Sequence, residues 1–143
     1  NMEDGSVMTV FRYKEQHQSY PGRVHGGMIT AMLDEMGLRS LWAKELSEET
    51  FGVTISLDTK YRKPVPYETE LIGRGVVVKN TSHFIITDSY IMDKDGEILA
   101  NGRIKYIKMD TQKIQEGVEV HEEMPYLVED GRTEIEGPFF DNL

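Results

Sequence analysis

The feature that most constrains the fold is one long apolar stretch, which runs from Met28 to Leu46. It is rich in good helix formers, so we predict a helix here. Its apolar side chains spread around most of the helix circumference and form no single stripe: Ile29, Met32, Leu33, Met36, Leu38, Leu41 and Trp42. A helix of this kind is buried on most sides. Ser47-Glu48-Glu49 marks its predicted end.

Strand patterns surround this helix. A mixed run of valine, threonine and aromatic residues predicts a first strand at Val7–Gln16. After the helix the apolar period changes to two, and four strands follow, at Phe51–Arg62, Leu71–Lys79, His83–Met92 and Ile98–Met109. In the first of these, Val53, Ile55, Leu57, Thr59 and Tyr61 are predicted to share one face, with Thr54 on the other. Because short connections make neighbouring strands pair antiparallel, we predict an α+β fold in which a curved antiparallel sheet wraps around one long central helix.

The charge distribution divides the chain into a body and an extension. The net charge is −9, but residues 110–143 hold ten acidic and two basic side chains, which leaves −1 for residues 1–109. We therefore predict one domain at 1–109 and an acidic C-terminal extension at 110–143. Without a basic face, binding to nucleic acid is not expected. No apolar run is long enough to span a bilayer, and no membrane association is expected.

Composition also limits the chemistry. Cysteine is absent, so there is no disulfide framework, thiolate nucleophile or cysteine metal site. The histidines His17, His83 and His121 stand far apart without metal-ligand spacing, so no metal site is predicted. The polar start of the sequence is unlike a secretory signal. We expect a cytoplasmic protein that uses neither a metal nor a separate cofactor.

The loop that leads into the helix is the first candidate site. It reads Tyr20-Pro21-Gly22-Arg23-Val24-His25-Gly26-Gly27. Paired glycines at a helix N-terminus leave backbone N–H groups uncovered at the positive end of the helix dipole. Such groups can hold an anion or the developing oxyanion of an attacked carbonyl. The alternative is that the glycines only shape a tight entry, with His25 as a polar cap.

Asp34 is the second candidate, because nothing in the helix neutralises it. No cation stands three or four residues away on either side, whereas Glu35 can pair with Arg39 at i+4. An unpaired carboxylate in an apolar helix is costly to bury unless a distant group hydrogen-bonds it. Asp34 is therefore a candidate functional residue. The alternative is an aspartate that faces solvent through a gap in the apolar surface.

These pieces together resemble the hotdog-fold acyl-CoA thioesterases, in particular the PaaI-like (phenylacetyl-CoA thioesterase-type) group of the 4-hydroxybenzoyl-CoA thioesterase superfamily. The resemblance covers about residues 20–109. It rests on the Gly-x-x-His-Gly-Gly loop at 22–27, on Asp34 seven residues after the second glycine, and on the strand-to-proline block at 52–64. An Asp-Gly hairpin at 95–96 and an Ala-x-Gly-x strand at 100–103 follow in the family's order.

The resemblance implies a homodimer, or a dimer of dimers, with active sites between protomers. Asp34 is then expected to activate a water or to attack the thioester carbonyl itself. The N–H of Gly26 or Gly27 polarises that carbonyl. His25 orients the loop or the substrate, and Thr54 supplies a hydroxyl that positions the water or the carboxylate.

Coenzyme A, as part of the substrate, is implied to lie along the end of the strand before Pro64 and a later turn. The residues expected there are Tyr61, Arg62, Lys63, Lys79, Asn80, Thr81 and Ser82. Their basic members are equally compatible with an ordinary solvated face. Ser19 stands where many family members carry an asparagine that contacts the thioester or the water, which implies a different substrate shape.

We expect an acyl-CoA thioesterase that acts on a small or medium acyl group, aromatic groups included. An alternative is a non-catalytic acyl-CoA or fatty-acyl binding protein, since one fold supports several functions. A third is a hotdog dehydratase acting on a hydroxyacyl thioester. Such enzymes pair a histidine with a carboxylate in different sequence surroundings.

Overall fold

The computed structural model describes Met2 and residues 4–44 and 50–110. Its elements are β1 (Val7–Phe11), a short 3-10 helix (Glu15–His17), β2 (Gln18–Tyr20), β3 (Arg23–Val24), α1 (Gly26–Lys44), β4 (Thr50–Tyr61), β5 (Leu71–Asn80), β6 (Phe84–Met92) and β7 (Ile98–Asp110). The predicted end of the helix at 45–49 and the acidic extension beyond Asp110 lie outside the described residues.

Five strands form one sheet in the order β1-β5-β6-β7-β4. Every pair of neighbours in it is antiparallel. Helix α1 packs on this sheet and contacts all five strands. The predicted combination of one long helix with an antiparallel sheet is therefore confirmed.

The first strand is shorter than predicted. It ends at Phe11, and β2 and β3 form a separate small hairpin. The prediction fails beyond Phe11 because the His17 ring accepts the backbone N–H of Lys14 (3.0 Å), and the His17 N–H donates to the Lys14 carbonyl oxygen (2.9 Å). These two bonds close a helical turn in place of a strand. The hairpin then turns at Gly22, whose φ of 75° favours glycine.

A β-bulge in β4 turns Thr54 toward α1. Thr54 pairs with Tyr106 of β7, and Ser56 pairs with Lys105, so Ile55 is the additional residue. One additional residue reverses the alternation of side chains between the two faces of a strand. The predicted strict alternation, with Thr54 on the face opposite Leu57, is therefore wrong at this position. The bulge is what lets the Thr54 hydroxyl face the helix.

Two glycines allow α1 to lie very close to the sheet. A Cβ atom on Gly75 would lie 2.0 Å from the carbonyl oxygen of Met36, and one on Gly37 would lie 2.4 Å from the Tyr106 hydroxyl. Neither position accepts a side chain unless the helix or the sheet shifts. The close approach brings the side chains of β6 and β7 within reach of the helix backbone.

The core has two parts along the helix. Toward its start, Ile29 and Leu33 pack with Tyr13, Val24, Val65, Leu71, Ile91, Leu99 and Ala100. Toward its end, Leu41 packs with Ile85, Ile104 and Tyr106. No helix among the described residues is both long enough and apolar enough to cross a membrane.

One side of α1 remains uncovered in the single chain. Met28, Ala31, Glu35 and Arg39 form an exposed stripe at helical spacing. The predicted burial on most sides is therefore not reached within one chain, because a single sheet covers only one side of a helix. The edge strand β4 also exposes two apolar side chains, Val53 and Ile55.

Candidate active site

His25 organises the loop that precedes α1. Its backbone N–H donates to the carbonyl oxygen of His17 (2.8 Å), and its Nδ1 accepts the N–H of Gly27 (2.9 Å). The ring therefore caps the first turn of the helix. That bond occupies the Gly27 N–H, whereas among the described residues no acceptor meets the N–H of Gly26. Of the two expected oxyanion donors, Gly26 is the one that remains available.

Tyr61 fastens the start of α1 to β4. Its hydroxyl donates to the carbonyl oxygen of Gly26 (3.1 Å) and lies 2.7 Å from the Oγ1 atom of Thr30. These contacts fix the Gly26 peptide from the sheet side. Tyr61 is nevertheless 55% exposed, so the ring also offers a surface to a ligand.

A groove of about 900 Å³ opens beside the start of α1. Its walls come from the β2–β3 hairpin, the first turn of the helix and the segment after β4: Ser19, Tyr20, Arg23, Val24, His25, Gly26, Gly27, Ile29, Tyr61, Arg62, Lys63, Pro64 and Val65. This volume is in the range of small-molecule and cofactor sites. The structure thus brings together seven of the predicted site residues: Ser19, His25, Gly26, Gly27, Tyr61, Arg62 and Lys63.

Three cations line this groove. Arg62 Nε donates to Oδ1 of Asn101 (2.6 Å), and Arg23 donates to a neighbouring backbone carbonyl oxygen (3.0 Å). Both acceptors are neutral, so these guanidinium groups keep their charge for an anionic ligand. Lys63 forms an ion pair with Glu97 in which both side chains are half-exposed, and such surface pairs are weak. Arg23 was not predicted as a site residue from the sequence, because a single arginine in a turn carries no signal.

The predicted turn of Lys79, Asn80, Thr81 and Ser82 does not line the groove of the same chain. Its first two residues are the last two of β5, whose ten residues span roughly 30 Å, and the other two follow that strand. The turn is closed by Thr81, whose hydroxyl donates to the Phe84 carbonyl oxygen (2.7 Å), and Lys79 lies over the Phe84 ring. Within one chain, the turn and the groove are therefore separate.

Asp34 accepts hydrogen bonds from two hydroxyls of the sheet. Thr54 Oγ1 lies 3.0 and 3.2 Å from the two carboxylate oxygens. The Tyr106 hydroxyl lies 3.1 Å from Asp34 Oδ1 and 2.8 Å from the Asp34 backbone carbonyl oxygen. The side chain is half-buried, and its neighbour Glu35 makes the predicted pair with Arg39 (2.5 Å). The distant donors that a buried carboxylate needs are thus present, and they come from the sheet.

Tyr106 is a residue that the sequence analysis missed. Its side chain is fully buried. Burial, and then the negative charge of Asp34, raises the pKa of the Tyr106 phenol far above its ordinary value. The phenol therefore stays protonated and acts as a donor. Strand alternation along Ile98–Met109 could have placed Tyr106 on the helix side with Ile104, but it could not have identified Asp34 as its partner.

The histidines are placed apart from one another. His17 lies in the 3-10 helix, and Nδ1 of His83 lies 2.8 Å from the Ser82 hydroxyl in the turn before β6. His121 lies outside the described residues. Within residues 4–44 and 50–110, no group of three or more histidine, aspartate or glutamate side chains is placed to hold a metal ion.

The two groups best suited to catalysis are Asp34 and the Gly26 N–H, and they are far apart on their shared helix. Eight residues separate them, which corresponds to about 12 Å along the axis and about 80° around it. A carbonyl that accepts from the Gly26 N–H has its carbon about 4 Å from that nitrogen. A carboxylate that acts directly or through one water lies within about 6 Å of that carbon. The N–H groups of the first turn point out of the helix start, away from Asp34, so this carbonyl lies farther from Asp34 than the Gly26 nitrogen does. The short Asp34 side chain reaches back by less than one helical turn. The two groups of one chain therefore fall short of acting on the same carbonyl.

Comparison with known proteins gives a consistent result. Residues 21–100 match the Thioesterase superfamily. Human acyl-coenzyme A thioesterase 13 is 23% identical over 100 residues, which are 69% of this chain and 70% of that protein. A solved thioesterase superfamily protein is 26% identical with a TM-score of 0.66 over 73% of this chain, and the match spans only 52% of that protein. A Bacillus halodurans protein crystallised with CoA is 21% identical, with a TM-score of 0.66 over 76% of this chain and 70% of that one.

The family match covers more than half of the chain, and the solved structures share its arrangement of one helix on a five-stranded antiparallel sheet. The resemblance seen in the sequence is thereby confirmed: this chain is a hotdog-fold protein that belongs to the thioesterase superfamily.

Proposed function

We propose that the protein is an acyl-CoA thioesterase that hydrolyses a small or medium acyl-CoA, aromatic acyl groups included, to the free acid and CoA. The observation that carries this proposal is the Asp34 carboxylate, which Thr54 and Tyr106 hold while it stays half-buried. A protein that only bound acyl chains would gain nothing from a carboxylate in this setting. The superfamily match supports the reaction class, and the acyl-CoA name and the bound CoA of its relatives support the substrate class.

Asp34 and the Gly26 N–H have different roles in the proposed reaction. Water adds its oxygen to the thioester carbon while Asp34 accepts its proton, or the Asp34 carboxylate attacks that carbon and water later releases the acyl group. In either route the Gly26 N–H donates to the carbonyl oxygen as it becomes an oxyanion. The C–S bond then breaks, and the CoA thiolate takes up a proton. His25 and Tyr61 hold the Gly26 peptide in place, and Thr54 orients the carboxylate.

A complete site requires two copies of the chain. Within one helix, Asp34 and Gly26 are too far apart to act on the same carbonyl group. Asp34 of one copy must therefore meet Gly26 of the other. The exposed stripe of α1 and the open edge of β4, with Val53 and Ile55, provide the surface for this pairing. We propose a homodimer, which can pair further into a dimer of dimers. The Lys79–Ser82 turn can reach a groove only from another copy.

Arg62 and Lys63 are proposed to bind the phosphates of CoA. Replacing both with alanine should raise KM for acyl-CoA about tenfold and leave KM for short thioesters without CoA nearly unchanged, because only CoA carries the phosphates. The KM of the wild-type protein for acyl-CoA should also rise with ionic strength. A Lys14→Ala/Lys94→Ala variant is the matched control, since it removes the same charge from outside the groove and outside β4. Equal losses on both substrate types would show that the pair serves folding or assembly instead.

The experiment that tests the proposal is thiol release by the purified protein from a panel of straight-chain and aromatic acyl-CoA esters. For at least one short, medium or aromatic ester, we expect each protein chain to release many thiols, which shows catalytic turnover. Binding of an ester that is then recovered intact, with no thiol released from any member of the panel, would instead identify an acyl-CoA binding protein. Release of water from a hydroxyacyl-CoA, with the thioester preserved, would identify a dehydratase.

A further inference from the structure

We propose that Tyr106 is the positioning residue that sets the orientation of the Asp34 carboxylate. The inference rests on the proposed function, in which Asp34 is the base or nucleophile. It starts from an unusual contact: one buried hydroxyl lies within hydrogen-bonding distance of both the side chain and the backbone of the same residue.

The contact fixes Asp34 relative to the sheet. Tyr106 sits in β7 directly opposite Thr54 of β4, so the two hydroxyls approach the carboxylate from neighbouring strands. Thr54 reaches both oxygens, whereas Tyr106 reaches only Oδ1 and the backbone carbonyl oxygen. Two donors from different strands restrict rotation of the carboxylate more than either does alone. Oδ2 accepts only from Thr54 among the described residues, so it is the oxygen left for water or the thioester carbon.

The chain makes room for this hydroxyl with a glycine. A Cβ atom on Gly37 would lie 2.4 Å from the Tyr106 hydroxyl, 2.6 Å from Thr87 Oγ1 and 3.2 Å from Ser89 Oγ. All three side chains are fully buried. The hydroxyls of Thr87 and Ser89 have no hydrogen-bond partner in the described part of the chain. The Thr87 hydroxyl is nevertheless close enough to the phenol to oppose part of the rise in its pKa. The phenol is thus enclosed by β6 and α1 and has no path away from Asp34.

The side chains that face this part of α1 from strands β1, β4, β5 and β6 are small and uncharged: Val7 and Thr9 from β1, Thr54 from β4, Gly73 and Gly75 from β5, and Thr87 and Ser89 from β6. Among the described residues, the hydroxyls of Thr54 and Tyr106 are therefore the groups that orient the Asp34 carboxylate. The Tyr106 phenol stays protonated, so it acts as a donor toward Asp34.

The test is Tyr106→Phe, which removes the hydroxyl and keeps the ring. We expect kcat to fall about tenfold with KM within about twofold, because the lost bond holds the reacting group and does not hold the substrate. The matched control is Tyr13→Phe. Tyr13 is also buried and donates to a carbonyl oxygen of the same helix, that of Met28 (3.2 Å), but it is remote from Asp34.

Tyr13→Phe should lose stability as Tyr106→Phe does, yet keep the wild-type kcat per folded chain. If Tyr106→Phe also keeps the wild-type kcat, Tyr106 only fastens the helix to the sheet and the inference is wrong. If Tyr106→Phe does not fold, 4-fluorophenylalanine at position 106 fills the space of the hydroxyl but donates no hydrogen bond. Its kcat should then fall about tenfold with KM little changed, and an unchanged kcat would overturn the inference.

Failure of the proposed function gives a different result. If the wild-type protein releases no thiol from any ester, the function is wrong, but the orientation of the Asp34 side chain can still be measured by NMR, from three-bond couplings to its carboxylate carbon. The inference requires one fixed rotamer in the wild-type protein and in Tyr13→Phe, and averaged couplings in Tyr106→Phe. Equal couplings in all three proteins would contradict it.

Discussion

Replacing Asp34 with asparagine is expected to lower kcat for acyl-CoA by about 10² or more, the scale of losing a general base or nucleophile. Asparagine has nearly the same shape, and its Oδ1 can still accept from Thr54 or Tyr106. KM should therefore change far less than kcat. Stability should change by no more than about 1 kcal/mol, since the charge is lost but hydrogen-bonding capacity is kept. Steady-state kinetics and thermal melts of the one variant measure both quantities.

Glu70→Gln is the matched control for this experiment, because it also neutralises one carboxylate. Glu70 does not line the groove or belong to the exposed stripe of α1, and it pairs with Arg12 at the surface (3.1 Å). Such a pair contributes at most about 1 kcal/mol, so turnover and melting temperature should stay close to wild type. A folded Asp34→Asn with wild-type turnover would refute the role assigned to Asp34. It would leave the carboxylate as a structural link between helix and sheet.

The second large effect is expected at Gly26. Gly26→Pro removes the backbone N–H that is proposed to hold the oxyanion, and proline is well tolerated at the first position of a helix. Loss of one oxyanion donor lowers kcat by about 10² to 10³. Gly26→Ala is the matched control, because it adds a Cβ but keeps the N–H. That Cβ would lie 3.3 Å from the Tyr61 hydroxyl, a tight contact that a flexible side-chain end can relieve.

The kcat of Gly26→Ala should therefore fall no more than several-fold, whereas Gly26→Pro should be nearly inactive. Circular dichroism of both variants verifies that the helix still forms. Similar turnover in the proline and alanine variants would exclude the Gly26 N–H as the oxyanion donor. The remaining candidate donor would then be the N–H of Gly27, which is bound to the His25 ring in the free protein.

The sequence pattern predicted the regular elements well, because their signals are local. The predicted strands at Leu71–Lys79 and Ile98–Met109 end one residue short of β5 and β7. The bulge at Ile55 could not be predicted, since the alternation of Val53, Ile55 and Leu57 reads as an unbroken strand. A bulge depends on the register with the partner strand, which the sequence of one strand does not contain. The real orientation of Thr54 followed from that register.

The candidate site was predicted in part for the same reason. The loop at 22–27 and the spacing to Asp34 lie within one short segment, so the motif was visible in the sequence. The partner hydroxyl of Tyr106 lies 72 residues away in the chain, and only the close packing of α1 at Gly37 brings it to Asp34. The choice between Gly26 and Gly27 likewise depended on where the His25 ring points. Distances across the fold decided each of these points, and composition and spacing do not specify them.

In the proposed dimer, Asp34 of one copy and the Gly26 N–H of the other act on the same thioester. A mixed dimer tests this arrangement, and it is made by coexpressing Asp34→Asn and Gly26→Pro chains with different affinity tags and purifying through both. Each single variant should be nearly inactive. In the mixed dimer, one site carries both substitutions and the other site carries neither, so we predict about half of the wild-type thiol release per dimer. A mixed dimer that stays as inactive as its two parents would contradict the shared site, because both sites would then be damaged within their own chains.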